Sequence, residues 1–259
     1  MCLCLFAINQ HDEYPFILLA NRDEFRKRPA AKAAFWKDNS NILAGRDLEG
    51  MGTWLGVNTA GNIAFLTNYR HPDYFNRKGP TRGKLVSDFL SGNVNANDYL
   101  SSIEKPEDYN GFNLVAGSFE ELYYFSNIEN EVRKIETGIH GLSNAFLNTS
   151  WPKVVKGKTQ LGNALVTNQF DNDSLFDILK DEERPSSGLL PDTGVGDELE
   201  RMLSPKFINS EEYGTVCSTV VRMKRNGEVT FEERSFDKTG KSTGNAKFDF
   251  EIKKDPNTN

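Results

Sequence analysis

Residues 1–8 read MCLCLFAI, and they decide what kind of sheet this chain builds. From Cys2 to Ile8 seven apolar side chains follow one another, until Asn9, Gln10, His11 and Asp12 end the run. Successive strand side chains point to opposite faces, so a half-wet strand alternates apolar and polar residues. An unbroken apolar run predicts a strand covered on both faces. Residues 15–20, PFILLA, are a second such run leading into 21–24, NRDE, and the two runs read as an antiparallel hairpin.

Working outward, residues 52–70, GTWLGVNTAGNIAFLTNYR, repeat the theme of strand, turn around Asn58 to Asn62, and strand. The runs FNLVAGS (112–118), ELYYFSN (121–127), VRKIETG (132–138), STVVRMK (218–224) and VTFEERSF (229–236) also read as strands. Helical segments sit between them. Residues 81–91 put Leu85, Phe89 and Leu90 on one side, with Gly92 as a stop. Residues 151–165 carry Pro152 in a first turn. Residues 174–183 and 196–204 make two shorter amphipathic pieces, and the loop-rich stretch between them, 184–196, is placed to act as a lid. Strand-rich halves separated by helices, with an opening strand buried on both faces, predict stacked sheets sandwiched by helices. We expect one domain over residues 1–252 and a polar tail over 253–259.

The chain has 259 residues, 37% of them hydrophobic and 26% charged, and a net charge of −6. That length supports a real core, and the acidic balance argues against a nucleic-acid surface. No stretch approaches a membrane span, and the start lacks the basic and long apolar regions of a signal peptide. Three cysteines in this setting suggest free thiols and a cytoplasmic protein.

Cys2 has two readings. It is either a small apolar residue in a buried strand or a nucleophile. Met1 precedes a small side chain, the usual condition for its removal, and the exposed α-amine would then lie on the same residue as the thiol. Such an amine, of pKa about 8, can take the thiol proton and return it to a leaving group. No histidine is needed, and His11, His71 and His140 stand in no Cys–His arrangement. Cys4 shares a strand face with Cys2, but no Cys/His cluster at ligand spacing supports a metal pair. Gly50, Gly52 and Gly56 around Trp54 read as close-packing glycines, since no helix follows them as a nucleotide loop requires. Trp54 and Phe65 are expected in the core. Arg46, Arg70 and Arg82 are either surface charges or the lining of an anion pocket.

The stretch LLANRDEFRKRPA (18–30) resembles the signature of the NRDE family, also called the Transport and Golgi organisation family. The resemblance continues through LAGRDLEGMGTWLGVN (43–58), FLTNYR (65–70), RGKLVSDFL (82–90), YNGFNLVAG (109–117), GLSNAFLNTSWPKV (141–154), LPDTGVG (190–196), ERMLSPKFI (200–208) and YGTVCSTVV (213–221). That family is similar to N-terminal-nucleophile (Ntn) hydrolases of the bile-salt hydrolase and penicillin V acylase type. The resemblance implies an α+β fold, a four-layer αββα sandwich. It also implies roles. Cys2 is the nucleophile. Arg22 lowers its thiol pKa, Asp23 holds the ammonium, and Asn68 and Asn144 bind the oxyanion or orient the free amine. Each has a plainer reading as a turn, cap or ion-pair residue.

Two departures stand out. Arg22 and Asp23 are adjacent, so on a regular strand Arg22 shares a face with Glu24, and Asn21 with Asp23. At Val216 the family commonly carries Arg, which would be the counterpart of a late active-site arginine. Cys217 beside it has no assigned role. The resemblance therefore leaves two functions open: hydrolysis of the C–N amide bond of a small molecule, which needs no cofactor, or non-catalytic binding of heme or an acylated, acyl-CoA-like lipid ligand in the same cleft, with Cys2 as a thiolate ligand of heme iron.

Overall fold

The computed structural model describes residues 2–74, 78–168 and 170–253; Met1 and Lys254–Asn259, most of the expected tail, lie outside them. Two antiparallel sheets face each other. The six-stranded sheet runs in the order β10 (Gly138–Leu142), β1 (Cys2–Ile8), β2 (Phe16–Phe25), β11 (Tyr213–Met223), β12 (Glu228–Phe236) and β13 (Ser242–Glu251). The seven-stranded sheet is a meander in chain order: β3 (Ala30–Phe35), β4 (Ile42–Asp47), β5 (Leu55–Asn58), β6 (Asn62–Asn68), β7 (Phe112–Ser118), β8 (Leu122–Ser126) and β9 (Glu131–Lys134).

Strand β1 shows why its sequence has no polar break. Cys4, Phe6 and Ile8 enter the core between the sheets, where Phe6 meets Phe65 edge-on at 5.4 Å. Leu3, Leu5 and Ala7 face the other way, into a second core against α3 (Pro152–Val166) and α4 (Asn172–Leu179). On the far side, Ala44, Ala64, Leu114 and Ala116 of the other sheet pack under α1 (Gly83–Ser91) and α2 (Ala96–Ser101). The layers are therefore α, β, β and α, as expected.

Local chemistry sets the helix ends. The Asp171 carboxylate accepts the Ser174 N–H at 3.0 Å and starts α4, and Pro152 occupies the first turn of α3. Gly52 and Gly56 are close-packing positions. A Cβ on Gly52 would stand 2.3 Å from the Gly83 carbonyl carbon, and one on Gly56 would stand 2.9 Å from Leu90 of α1.

Five strands and helices were not in the sequence reading: β3, β4, α2, β10 and β13. The last is an edge strand whose Ala246, Phe248 and Phe250 pack on the central core while the residues between them face outward. The chain stays attached past it, for Ile252 packs on the same core and the Lys253 N–H bonds Thr59 O at 2.8 Å.

Candidate active site

Cys2 begins β1 on the face that looks between the sheets, and strand pairing sets its neighbours. It stands opposite Arg22 of β2, and Arg22 stands opposite Cys217 of β11. The register of β11 shifts between Thr215 and Cys217, so Val216 is the extra residue of a bulge. That bulge lets Thr215 pair with Asp23 while Cys217 pairs with Arg22. At this end of the sandwich lies a cleft of about 900 Å³, lined by Cys2, Arg22, Asp23, Asn68, Arg82 and Tyr213 among others.

Four of the five expected site residues thus border one cleft. Cys2 is half-buried, whereas Cys4 and Cys217 are buried and do not line it. Arg22 is almost fully covered. Its guanidinium lies 4.1 Å over the Trp54 ring and 3.4 Å from the Asp47 carboxylate. Trp54 is accordingly a half-buried wall of the cleft, unlike Phe65, which is core as expected. Asp23 is buried and accepts the Thr215 hydroxyl at 2.7 Å. Asn68 ends β6 and is half-buried. Asn144 is placed differently. It is buried outside the lining, its Nδ2 donates to Asn68 O at 2.9 Å, and its own carbonyl accepts the Arg70 N–H at 2.7 Å. Ser143 beside it donates to Cys2 O at 3.2 Å, so this loop clamps the strand ends that carry Cys2 and Asn68.

The electrostatics differ from the expectation drawn from Arg22 alone. Burial pushes the Cys2 thiol pKa up and the Asp23 carboxylate adds to the rise; the Asp23 backbone N–H and the Arg22 guanidinium pull it back. Desolvation outweighs the cation, which is itself neutralised by Asp47. Cys4 and Cys217 rise further, both chiefly from burial. Burial also raises the Asp23 carboxyl, while Lys153 and the Thr215 hydroxyl lower it.

Lys153 escaped the sequence reading. It lies in the first turn of α3, is buried, and donates to Leu203 O at 2.9 Å. Burial lowers its pKa to about 8, with Asp23 and Cys2 pulling it upward. A signal was present: a lysine in a helix's first turn opposes the helix dipole and needs a local reason. Arg70 and Glu200 form a second buried group, 3.1 Å apart, with the Arg70 guanidinium 4.5 Å over Trp151. Glu200 belongs to α5 (Asp197–Met202), which follows the expected lid and also accepts the Thr193 N–H of that segment at 2.9 Å. The segment before α5 is thus tied down by Glu200, and Leu199, Met202 and Leu203 border the cleft.

A family model described as Transport and Golgi organisation 2 matches residues 1–238. The chain belongs to this family. The Transport and Golgi organization protein 2 homolog of Bos taurus is 36% identical over 91% of this chain and 93% of its own length. The human homolog is 35% identical with the same coverage. Among solved structures, a C2A mutant of conjugated bile acid hydrolase from Clostridium perfringens superposes with TM-score 0.54 and 10% identity, over 96% of this chain and 92% of that one. The N-acylethanolamine-hydrolyzing acid amidase ortholog of Caenorhabditis elegans gives TM-score 0.50 and 10% identity, over 85% and 92%. The fold of this Transport and Golgi organisation 2 family member is therefore that of the Ntn hydrolases, a statement about architecture and not about chemistry. In this family member Val216 does not border the cleft with Cys2. It lines a separate cavity of about 330 Å³ on the other side of Arg22 and Trp54, with Cys217 and Glu233. The three undecided arginines also separate. Arg46 pairs with Asp38 at 2.7 Å away from the cleft, while Arg70 and Arg82 line it.

Proposed function

We propose that this protein is a cysteine amidohydrolase of small molecules in which Cys2, after loss of Met1, is the N-terminal nucleophile. The observation that carries the reading is the placement of Cys2. Of the three cysteines it alone borders the cleft, at the end of a strand and beside Arg22 and Asp23.

The α-amine of Cys2 takes the thiol proton, and Sγ attacks the amide carbonyl carbon. Negative charge then collects on the carbonyl oxygen, which we assign to the side-chain amide of Asn68, one of the donors bordering the cleft. The C–N bond breaks as the ammonium returns its proton to the departing nitrogen, leaving a thioester on Cys2. Water, deprotonated by the same amine, hydrolyses the thioester and restores the thiol. Asp23 holds the ammonium, and its rise from burial is relieved by Thr215 and Lys153. Asn144 acts through Asn68 by holding its backbone.

The test measures amine release from a panel of N-acyl amino acids and bile-salt-like and penicillin-like amides, with hemin titrated in parallel. Cleavage that vanishes in Cys2→Ala, with hemin binding weak and insensitive to that change, supports the hydrolase. Tight, Cys2-dependent hemin binding without cleavage across the panel overturns it in favour of the carrier.

A further inference from the structure

Four arginines line the cleft: Arg22, Arg28, Arg70 and Arg82. Three of them already face carboxylates. Arg28 holds Asp47 and Glu49, Arg70 holds Glu200, and Arg22 stands 3.4 Å from Asp47 and 3.9 Å from Glu24. Arg82 differs. Among the described residues its side chain makes one hydrogen bond, from Nη1 to the Gly111 carbonyl at 3.1 Å, and no carboxylate lies within ion-pair distance. The Nε and Nη2 groups, which form one edge of the guanidinium, have no acceptor among the described residues, and the side chain is half-buried.

An arginine edge with two parallel N–H groups matches the two oxygens of a carboxylate. This edge is also held in place. Arg82 occupies the N-terminal cap of α1, and the next residue is pinned because Gly83 O accepts the Thr53 N–H at 3.1 Å while Gly52 packs against it without room for a Cβ. A pre-positioned cation loses less entropy on binding than a mobile surface one. Phe25, Trp54, Leu66, Leu199 and Met202 add apolar surface to the lining, beside polar residues and the carboxylates of Asp23, Glu24, Asp47 and Glu212. Phe25 and Leu199 are exposed at 51% and 36%.

We propose that Arg82 selects the substrate, an amide with a carboxylate on its amine half and an apolar acyl arm, in short an N-acyl amino acid. The proposal rests on the hydrolase reading above. The carboxylate takes the open edge of Arg82, the amide carbonyl lies at Cys2, and the acyl arm follows the apolar side chains of the lining. Burial lowers the Arg82 pKa, opposed by Glu24 and Cys2 and reinforced by Arg28.

The test uses Cys2→Ala, so that ligands are not consumed, and titration calorimetry with N-dodecanoylglycine and N-dodecanoylethanolamine. These share the acyl chain and differ in the carboxylate. The glycine conjugate is expected to bind tighter by about tenfold or more. Adding Arg82→Met should bring the ratio of the two affinities close to one, and Arg82→Lys should keep part of the preference, which separates lost charge from lost fold. A ratio near one before Arg82 is changed, a ratio unaffected by Arg82→Met, or binding of neither ligand overturns the proposal. Failure of the hydrolase reading looks different: the preference persists, yet no amide is cleaved when Cys2 is intact.

Discussion

Cys2 and Cys217 flank Arg22 on one face of one sheet, yet only Cys2 opens on the cleft. The asparagines divide in the same way, with Asn68 bordering the cleft and Asn144 bonded behind it. If Asn68 donates to the oxyanion, Asn68→Ala lowers kcat on a cleaved amide by about 10²-fold with little change in KM. A change confined to KM would assign Asn68 to binding instead. Lys153 makes a separate statement at this scale. Its pKa of about 8 in the folded state lies below the unfolded value. Below pH 8 both states hold the proton and the burial cost is full; above it the folded state has shed the proton that the unfolded chain keeps, so stability rises with pH until the unfolded value is passed. The stability difference between the native protein and Lys153→Met, from urea unfolding, should therefore move in favour of the native protein by about 2 kcal/mol from pH 7.5 to 9.5. A constant difference would contradict that. Cys2, Arg22 and Asp23 were legible from the first strand and the NRDE signature. Lys153 and the open edge of Arg82 were not, because burial and the absence of a partner are properties of the assembled cleft.

At the scale of elements, α5 is held beside the cleft by a buried ion pair and not by a large apolar face. Arg70 and Glu200 have side chains 1% and 3% exposed, so removing one strands the other in a poor solvent. Arg70→Met should cost about 3–5 kcal/mol in urea unfolding, and the double change Arg70→Met, Glu200→Leu should recover most of it. A single-variant cost under about 0.5 kcal/mol would show that α5 is held by something else. The runs that became β1, β2 and β5 to β8 were readable because each hairpin lies in continuous sequence. Strand β13 was not read, although its alternation at Ala246, Phe248 and Phe250 was there, because single apolar residues between polar ones resemble a loose tail. The pairing of β2 with β11 could not be read at all. Its register depends on the bulge at Val216 and joins segments far apart in sequence.

For the whole molecule, the two sheets meet through one continuous apolar layer that positions both halves of the cleft, Cys2 and Arg22 from one sheet and Trp54 and Asn68 from the other. Phe65, wholly buried in that layer, should cost about 3–5 kcal/mol when replaced by alanine, read from thermal or urea unfolding. A loss under about 1 kcal/mol would mean that the sheets close over the gap. The layer order followed from the unbroken apolar run in β1; the function did not, since the same architecture serves many chemistries. The central claim is that Cys2 is an N-terminal nucleophile. It is tested most directly by peptide-mapped iodoacetamide labelling of the native protein, made in cells with ordinary methionine processing, near neutral pH. The account expects an N-terminal peptide that begins at Cys2 and carries the first label there, with Cys4 and Cys217 unlabelled until the protein is unfolded. Full retention of Met1, equal labelling of the three cysteines, or protection of Cys2 until denaturation would contradict it.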